Sequence, residues 1–401
     1  MPDVTVADPV ELLPGIDAHP HARAVLVPAL APGGSASHAY LFHGPAGTGK
    51  RTVARAFAAA LLADGARSPD TVAERVARDS HPDLTWVTPS GAAEMLVADI
   101  EEPVVAAATR TPFESARRVF VIEGAETMND QAANRMLKTL EEPPAFTHLL
   151  LLADRREDVL ATIASRCQSV RFDPLPPALI AELLAPAARA GDDAEGAAGA
   201  DDDFDERGRV LACSRLALGD AGVAARLARD EGRELRARAE ELVRCALSGD
   251  TSARPWLGLL DAAKAAGAAA GEQLRERLRG ELELLPSKER KRHEREGAEA
   301  QRRGERRTRT RTLDLGLRLA ELWLRDLLCV REGAPELIYA IDRRAQLEQD
   351  AGGQEGRGLD PAALRRGVEL VADTRLGLSL NVSEELALEA LVYRLQARLS
   401  A

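Results

Sequence analysis

Cysteine is scarce in this chain of 401 residues: Cys167, Cys213, Cys245 and Cys329 stand far apart and form no C-x-x-C pair. Their spacing excludes a disulfide framework or a cysteine-built zinc site and predicts reduced, mostly buried thiols. Long apolar runs are missing as well. No stretch of about 18 apolar residues occurs, so no membrane span is expected. The opening "MPDVTVADPVELLPG" is acidic and lacks an apolar core, so it does not read as a signal peptide, and the cytoplasm is the expected compartment. An excess of positive charge is also absent. The net charge of −11 excludes a protein that coats nucleic acid by its overall charge, although local patches can differ.

What is present suits a globular protein of two or three domains, with 45% hydrophobic and 29% charged residues. Up to about residue 172, short apolar runs alternate with amphipathic stretches. "AYLFHG" (39–44), "DLTWVT" (83–88), "RVFVIEG" (118–124), "HLLLLAD" (148–154) and "SVRF" (169–172) are predicted buried strands. Residues 50–63, 96–108 and 129–142 are predicted helices between them. In the last, Ala133, Met136, Leu137 and Leu140 share one helical face, Asn129 is the expected N-cap, and Pro143–Pro144 ends the helix. This alternation predicts an α/β core, a mostly parallel sheet with helices on both faces. After "PLPP" (174–177) strand signals stop. Residues 175–240 read as a small helical region carrying an acidic insertion (191–206) with eight acids and no base, and residues 241–401 as an all-helical domain.

Between the first strand and its helix stands "GPAGTGKR" (44–51), which matches G-x-x-x-x-G-K-[ST] except at its last letter. Backbone amides around Gly44, Gly47 and Gly49 would cradle phosphate, and Lys50 would meet its charge. Arg51 stands where a hydroxyl should hold Mg²⁺. Thr52 comes one residue late, turned away by about 100° on the helix. At the end of the third strand an Asp is expected to hold Mg²⁺, often followed by a Glu that orients water; here Glu123 and Gly124 fill those places. With no side chain at Gly124, hydrolysis should be slow or absent.

The segments "SHAYLFHGPAGTGK", "NRMLKTLEEPP" and "ATIASRC", in this order and spacing, resemble the bacterial clamp-loader family, AAA+ proteins of the DNA polymerase III holoenzyme. The resemblance is strong over 37–175 and weak beyond. It implies an AAA+ core (1–174), a lid (175–240) and an oligomerisation collar (241–401). Within the family, the decayed site resembles the delta prime type of subunit rather than the gamma/tau motors. That implies a chain that is not an ATPase on its own but a subunit of the holoenzyme. It also implies that Arg166, in S-R-C, is an arginine finger acting in a neighbour's ATP site. The sensor 1 position falls on Asp154, and the sensor 2 position on Gly222, with Arg226 a turn later. The family's four zinc cysteines have no counterpart in 64–83, where His81 stands alone, so no zinc is expected. No cofactor is required, with room for weak ATP or ADP binding. The implied partners are the motor and delta subunits, the sliding clamp and primed DNA.

An active motor that uses Thr52 and Glu123 stays open as the alternative. The basic run 288–311, with eleven Lys or Arg against five acids, is expected to be a solvated helix or loop, with phosphate or acidic partners as the other reading.

Overall fold

The computed structural model describes residues 9–89, 94–189, 206–283, 287–352, 358–378 and 382–399; most of the acidic insertion lies outside them. The chain divides into two compact units. The first comprises Met1–Pro176 and Gly219–Ala221, the second Pro177–Leu218 and Gly222–Ala401.

In the first unit, β1 (Ala39–His43), β2 (Leu84–Val87), β3 (Arg118–Glu123), β4 (Thr147–Ala153) and β5 (Gln168–Arg171) form one parallel sheet in the order β2-β3-β4-β1-β5. Every strand falls where the sequence predicts it, within a residue or two. The sheet is covered on both sides, so its central strands read as unbroken apolar runs rather than as alternations. β4 is buried at all seven positions. Successive side chains still go to opposite faces. Leu41, Phe120, Ile122, Leu149 and Leu151 pack under α4 (Val97–Ile100), α5 (Asp130–Glu141) and α6 (Ala161–Ala164). Tyr40, Phe42, Val119, Val121, Leu150 and Leu152 face α1 (Pro20–Leu30), α2 (Lys50–Ala63) and α3 (Pro69–Ala77).

The start of α5 is fixed by Asn129, whose Oδ1 accepts the Ala132 N–H at 2.9 Å. Ala133, Met136 and Leu140 are buried as the helical spacing requires, and Leu137 is half-buried. The helix expected over 96–108 forms differently. Four α-helical residues pass into a wider π turn, Glu101–Ala106. Pro103 lies inside that turn and has no N–H with which to close an α-helical bond.

The described elements of the second unit are all helical: α7 (Pro177–Arg189), α8 (Glu206–Leu216), α9 (Ala221–Leu227), α10 (Asp230–Ser248), α11 (Trp256–Glu283), α12 (Ser287–Arg331), α13 (Arg344–Ala351), α14 (Pro361–Leu378) and α15 (Glu384–Leu399), joined by short 3-10 turns. Leu242, Leu259, Trp323, Leu364 and Leu391 lie in its single apolar core. Arg236 is buried at the edge of that core and reaches both carboxylate oxygens of Asp342 (2.8 and 2.9 Å) and Glu240 (2.9 Å). Removing one partner of such a set would strand a buried charge. Among the described residues no helix is long and apolar enough to cross a membrane.

Phe57 of α2 meets Tyr40 edge-on at 5.2 Å and is fully buried over the sheet. Phe57→Ala is expected to cost about 3–5 kcal/mol, read as lost hydrogen-exchange protection of the β1 and β4 amides.

Candidate nucleotide site

β1 ends at His43, and the glycine-rich turn that follows runs directly into α2. Gly49, at φ +91°, is the N-cap, so Lys50 is the first helical residue. Gly47 must be glycine for two reasons. Its φ is +70°, and a Cβ there would overlap the carboxylate of Asp220. The Ala221 N–H also donates to the Gly47 carbonyl at 3.2 Å. His19 braces the loop from beneath. Its buried ring donates from Nε2 to the Thr48 carbonyl at 2.7 Å. Burial lowers the pKa of His19, outweighing that hydrogen bond and the nearby Asp173. The ring is therefore neutral near pH 7, with its proton on Nε2.

Lys50 is buried. Its ammonium donates to the carbonyls of Gly44 and Pro45 (2.8 Å to the latter) and to Asp154 Oδ1 at 3.0 Å. The side chain that should meet a phosphate is thus already matched by a carboxylate. Register explains the meeting. His43 of β1 pairs with Ala153 of β4, so the residues that follow each strand emerge side by side.

A second pair joins the two positions that would hold Mg²⁺. Arg51 Nε lies 3.2 Å from Glu123 Oε2, and the same oxygen accepts from Trp86 Nε1 at 3.2 Å. The guanidinium groups of Arg51 and Arg55 lie 5.8 and 4.5 Å from the Trp86 ring centroid. The Arg51 side chain is mostly exposed, so this pair is worth about 0–1 kcal/mol, and each cation–π contact about 0.5–1 kcal/mol. The cluster changes the chemistry of the site more than its stability. Thr52 is exposed on α2, and Gly124 sits at φ +75°. A Cβ on Gly124 would come within 3.1 Å of Pro89. Arg51 puts no hydroxyl, and Gly124 no side chain, at the positions where a P-loop nucleotide site holds Mg²⁺ and orients water.

The structure brings together Gly44, Gly47, Gly49, Lys50, Arg51, Glu123 and Asp154. Arg166 belongs to a different arrangement, just after α6. Its Nε and Nη2 donate to Glu141 Oε1 at 2.9 and 2.5 Å, and Nη1 donates to the Thr162 carbonyl at 2.8 Å. It stays about one-third exposed, at 36%. The neighbouring Cys167 thiol is pushed up to about 12 by burial and is no nucleophile near neutral pH. Gly222 and Arg226 lie in the second unit, where Arg226 donates to Thr312 Oγ1 at 2.6 Å.

Sequence reasoning missed three contributors. Trp86 pairs in register with Val121, which puts it on the same face as Glu123, two residues on. That neighbourhood requires the strand order and cannot be read locally. Asp220 is distant in sequence. Glu126 was in plain view three residues after Glu123. Its pKa is raised chiefly by burial and next by the charge of Asp154, against the pull of backbone N–H groups and Lys50. Its Oε2 is buried without a hydrogen-bond partner. An acid with a raised folded-state pKa is stabilising when protonated and costs stability as pH rises through the interval above its unfolded pKa. Glu126→Gln is therefore expected to raise the melting temperature at pH 7 and to lose that advantage toward pH 4, as read by calorimetry across that range.

Residues 19–176 match the family described as DNA polymerase III, delta subunit. DNA polymerase III subunit delta' of Pseudomonas aeruginosa is 40% identical over 136 residues, 33% of this chain and 42% of that protein. The delta' subunit of Bacillus subtilis is 36% identical over 154 residues, 37% of this chain and 46% of that protein. A gamma/tau subunit of Mycobacterium tuberculosis is 35% identical over 157 residues, 38% of this chain and 27% of that protein. The chain spans less than half the length of these curated relatives, and the family match falls in its first unit. Residues 19–176 are thus similar to DNA polymerase III clamp-loader subunits, delta' subunits among them.

Proposed function

We propose that this chain acts as a delta prime-like subunit of the DNA polymerase III clamp loader, with an ATP site of its own that is degenerate. The observation that carries this reading is the pairing of Lys50 with Asp154 and of Arg51 with Glu123, which satisfies within the protein the charges that nucleotide and Mg²⁺ would otherwise meet. The similarity of residues 19–176 to delta' subunits supports the same reading. In this proposal residues 175–240 serve as a lid and 241–401 as a collar that joins the chain to gamma/tau motor subunits and delta. Arg166 leaves Glu141 and enters a neighbour's ATP site, where it stabilises charge on the transferring phosphoryl group. The assembly places a sliding clamp on primed DNA.

The active-motor reading is kept by one observation, the 35% identity to a gamma/tau subunit over 157 residues. Nucleotide affinity separates the two. Asp154→Asn removes the carboxylate held by Lys50, so a masked site should bind a fluorescent ATP analogue several-fold more tightly in the variant. Equal or weaker binding would mean that Lys50 is free for phosphate in the native chain.

The role in trans is tested by reconstituting the loader with motor and delta subunits and measuring ATPase stimulated by clamp and primed DNA. Fingers of this kind alter phosphoryl-transfer rates by about 10³–10⁵ at the site they serve. Arg166→Ala should silence one motor site and lower the summed rate while stoichiometry by gel filtration is unchanged. Glu141→Ala, which removes only the partner at rest, should retain most of the rate. An unaltered rate with Arg166→Ala would remove the finger from the proposal.

A further inference from the structure

The glycine turn ends in a cation where a P-loop places a hydroxyl. In such a site the residue after the lysine lends an oxygen to Mg²⁺, and the metal bridges the outer phosphates of the nucleotide. Arg51 has no lone pair to lend, only N–H donors and a fixed positive charge. A divalent ion brought to that place would meet a like charge. Mg²⁺ also sheds water reluctantly and asks for oxygens in octahedral array. The acid opposite is already engaged: Glu123 Oε2 is met by Arg51 Nε and by Trp86 Nε1, both at 3.2 Å. Thr52 is exposed on α2, and Gly124 has no side chain. Arg51 and Gly124 are thus the wrong donor set for Mg²⁺.

The same end of the cradle suits a bare anion. Arg51 is the second residue of α2, directly after Lys50 at the positive end of the helix. A guanidinium takes phosphate oxygens two at a time, whereas an ammonium acts as a point charge. Its present partner is weakly held, because the Arg51 side chain is 64% exposed and its pair with Glu123 is a surface pair.

We propose that this site takes a nucleotide as the free anion, without Mg²⁺, and that Arg51 supplies the charge the metal brings in other P-loop sites. The proposal rests on reading residues 44–51 as a nucleotide cradle, but not on the masking of Lys50 by Asp154. Arg51 leaves Glu123 for phosphate, and Glu123 keeps the Trp86 indole N–H. The Trp86 ring, 5.8 Å from the Arg51 guanidinium, registers that departure. Arg51 and Mg²⁺ compete for the same phosphate oxygens, so the metal opposes binding instead of promoting it.

The test is calorimetric titration of the full chain with ADP, in EDTA and again in excess Mg²⁺ at matched ionic strength. The native chain should bind several-fold more tightly in EDTA. Trp86 fluorescence should change on binding, since Trp256 and Trp323 are buried in the core of the second unit. Arg51→Thr should lower the affinity in EDTA about tenfold, the loss of a charge-assisted contact, and should remove the penalty from Mg²⁺. Arg51→Lys should keep that penalty, and Arg78→Ala, at an exposed position of the same unit, should bind like the native chain. The series is repeated in Asp154→Asn, where Lys50 is released, so that weak native binding does not end the test. Tighter binding in Mg²⁺, a Mg²⁺ effect that survives Arg51→Thr, or no binding by native and Asp154→Asn chains alike would overturn the proposal. The masking of Lys50 fails separately. Tighter binding in Asp154→Asn with promotion by Mg²⁺ would keep the masking and remove the role of Arg51. Equal affinity of native and Asp154→Asn chains, still opposed by Mg²⁺, would do the reverse.

Discussion

The parallel pairing of β1 with β4 is the constraint from which the rest of the first unit follows. β1 is wedged between β4 and β5, and β4 between β1 and β3, so neither has a solvated edge or face. Shifting either strand by one residue would send Leu41, Leu149 and Leu151 to the face meant for Tyr40, Phe42 and Leu150. The register is therefore held by the volume of both cores at once. Because His43 and Ala153 are partners in that register, the glycine turn and Asp154 leave the sheet together. The encounter of Lys50 with a carboxylate is set by strand geometry before any local attraction acts.

Around that point the protein supplies its own counter-ions. Asp154 answers Lys50, Glu123 answers Arg51, and Asp220 lies against Gly47. The exposed Arg51–Glu123 pair is weak taken singly, yet with the Lys50–Asp154 pair it leaves the cradle with little unmatched positive charge. The arginine at 166 is treated differently. It is tethered by Glu141 on a partly exposed surface and remains within reach of solvent. Two regions of the first unit thus hold arginine or lysine in two electrostatic states, neutralised and tethered.

The five strands, α2 and α5 were legible because each rests on a local cause: a doubly buried strand must be apolar throughout, and a helix needs a face and a cap. Asn129 and the Ala133–Met136–Leu140 spacing carried α5 without any tertiary knowledge. The π turn at Glu101–Ala106 was not legible, since Pro103 alone does not say whether a helix ends, kinks or widens. The glycines and Lys50 could be named from their motif, and Arg51 and Glu123 as its departures. That those departures pair with each other, and share Trp86, depends on β2 lying beside β3, which no window of sequence contains. The raised pKa of Glu126 escaped for the same reason, because burial belongs to the assembled site.

Gly124 is constrained in a way that its neighbours in the candidate site are not. A hydroxyl could return at position 51 by exchange of one side chain, and Glu123 could shorten by one methylene. Position 124 is another matter. Its backbone lies at φ +75° with Pro89 against the place where a Cβ would go, and a side chain there would have to move the turn after β3 before it could orient anything. Strain of that sort costs about 1–3 kcal/mol, and it would be incurred before any catalytic gain. Position 124 is thus fixed by its backbone, whereas positions 51 and 123 are set only by their side chains.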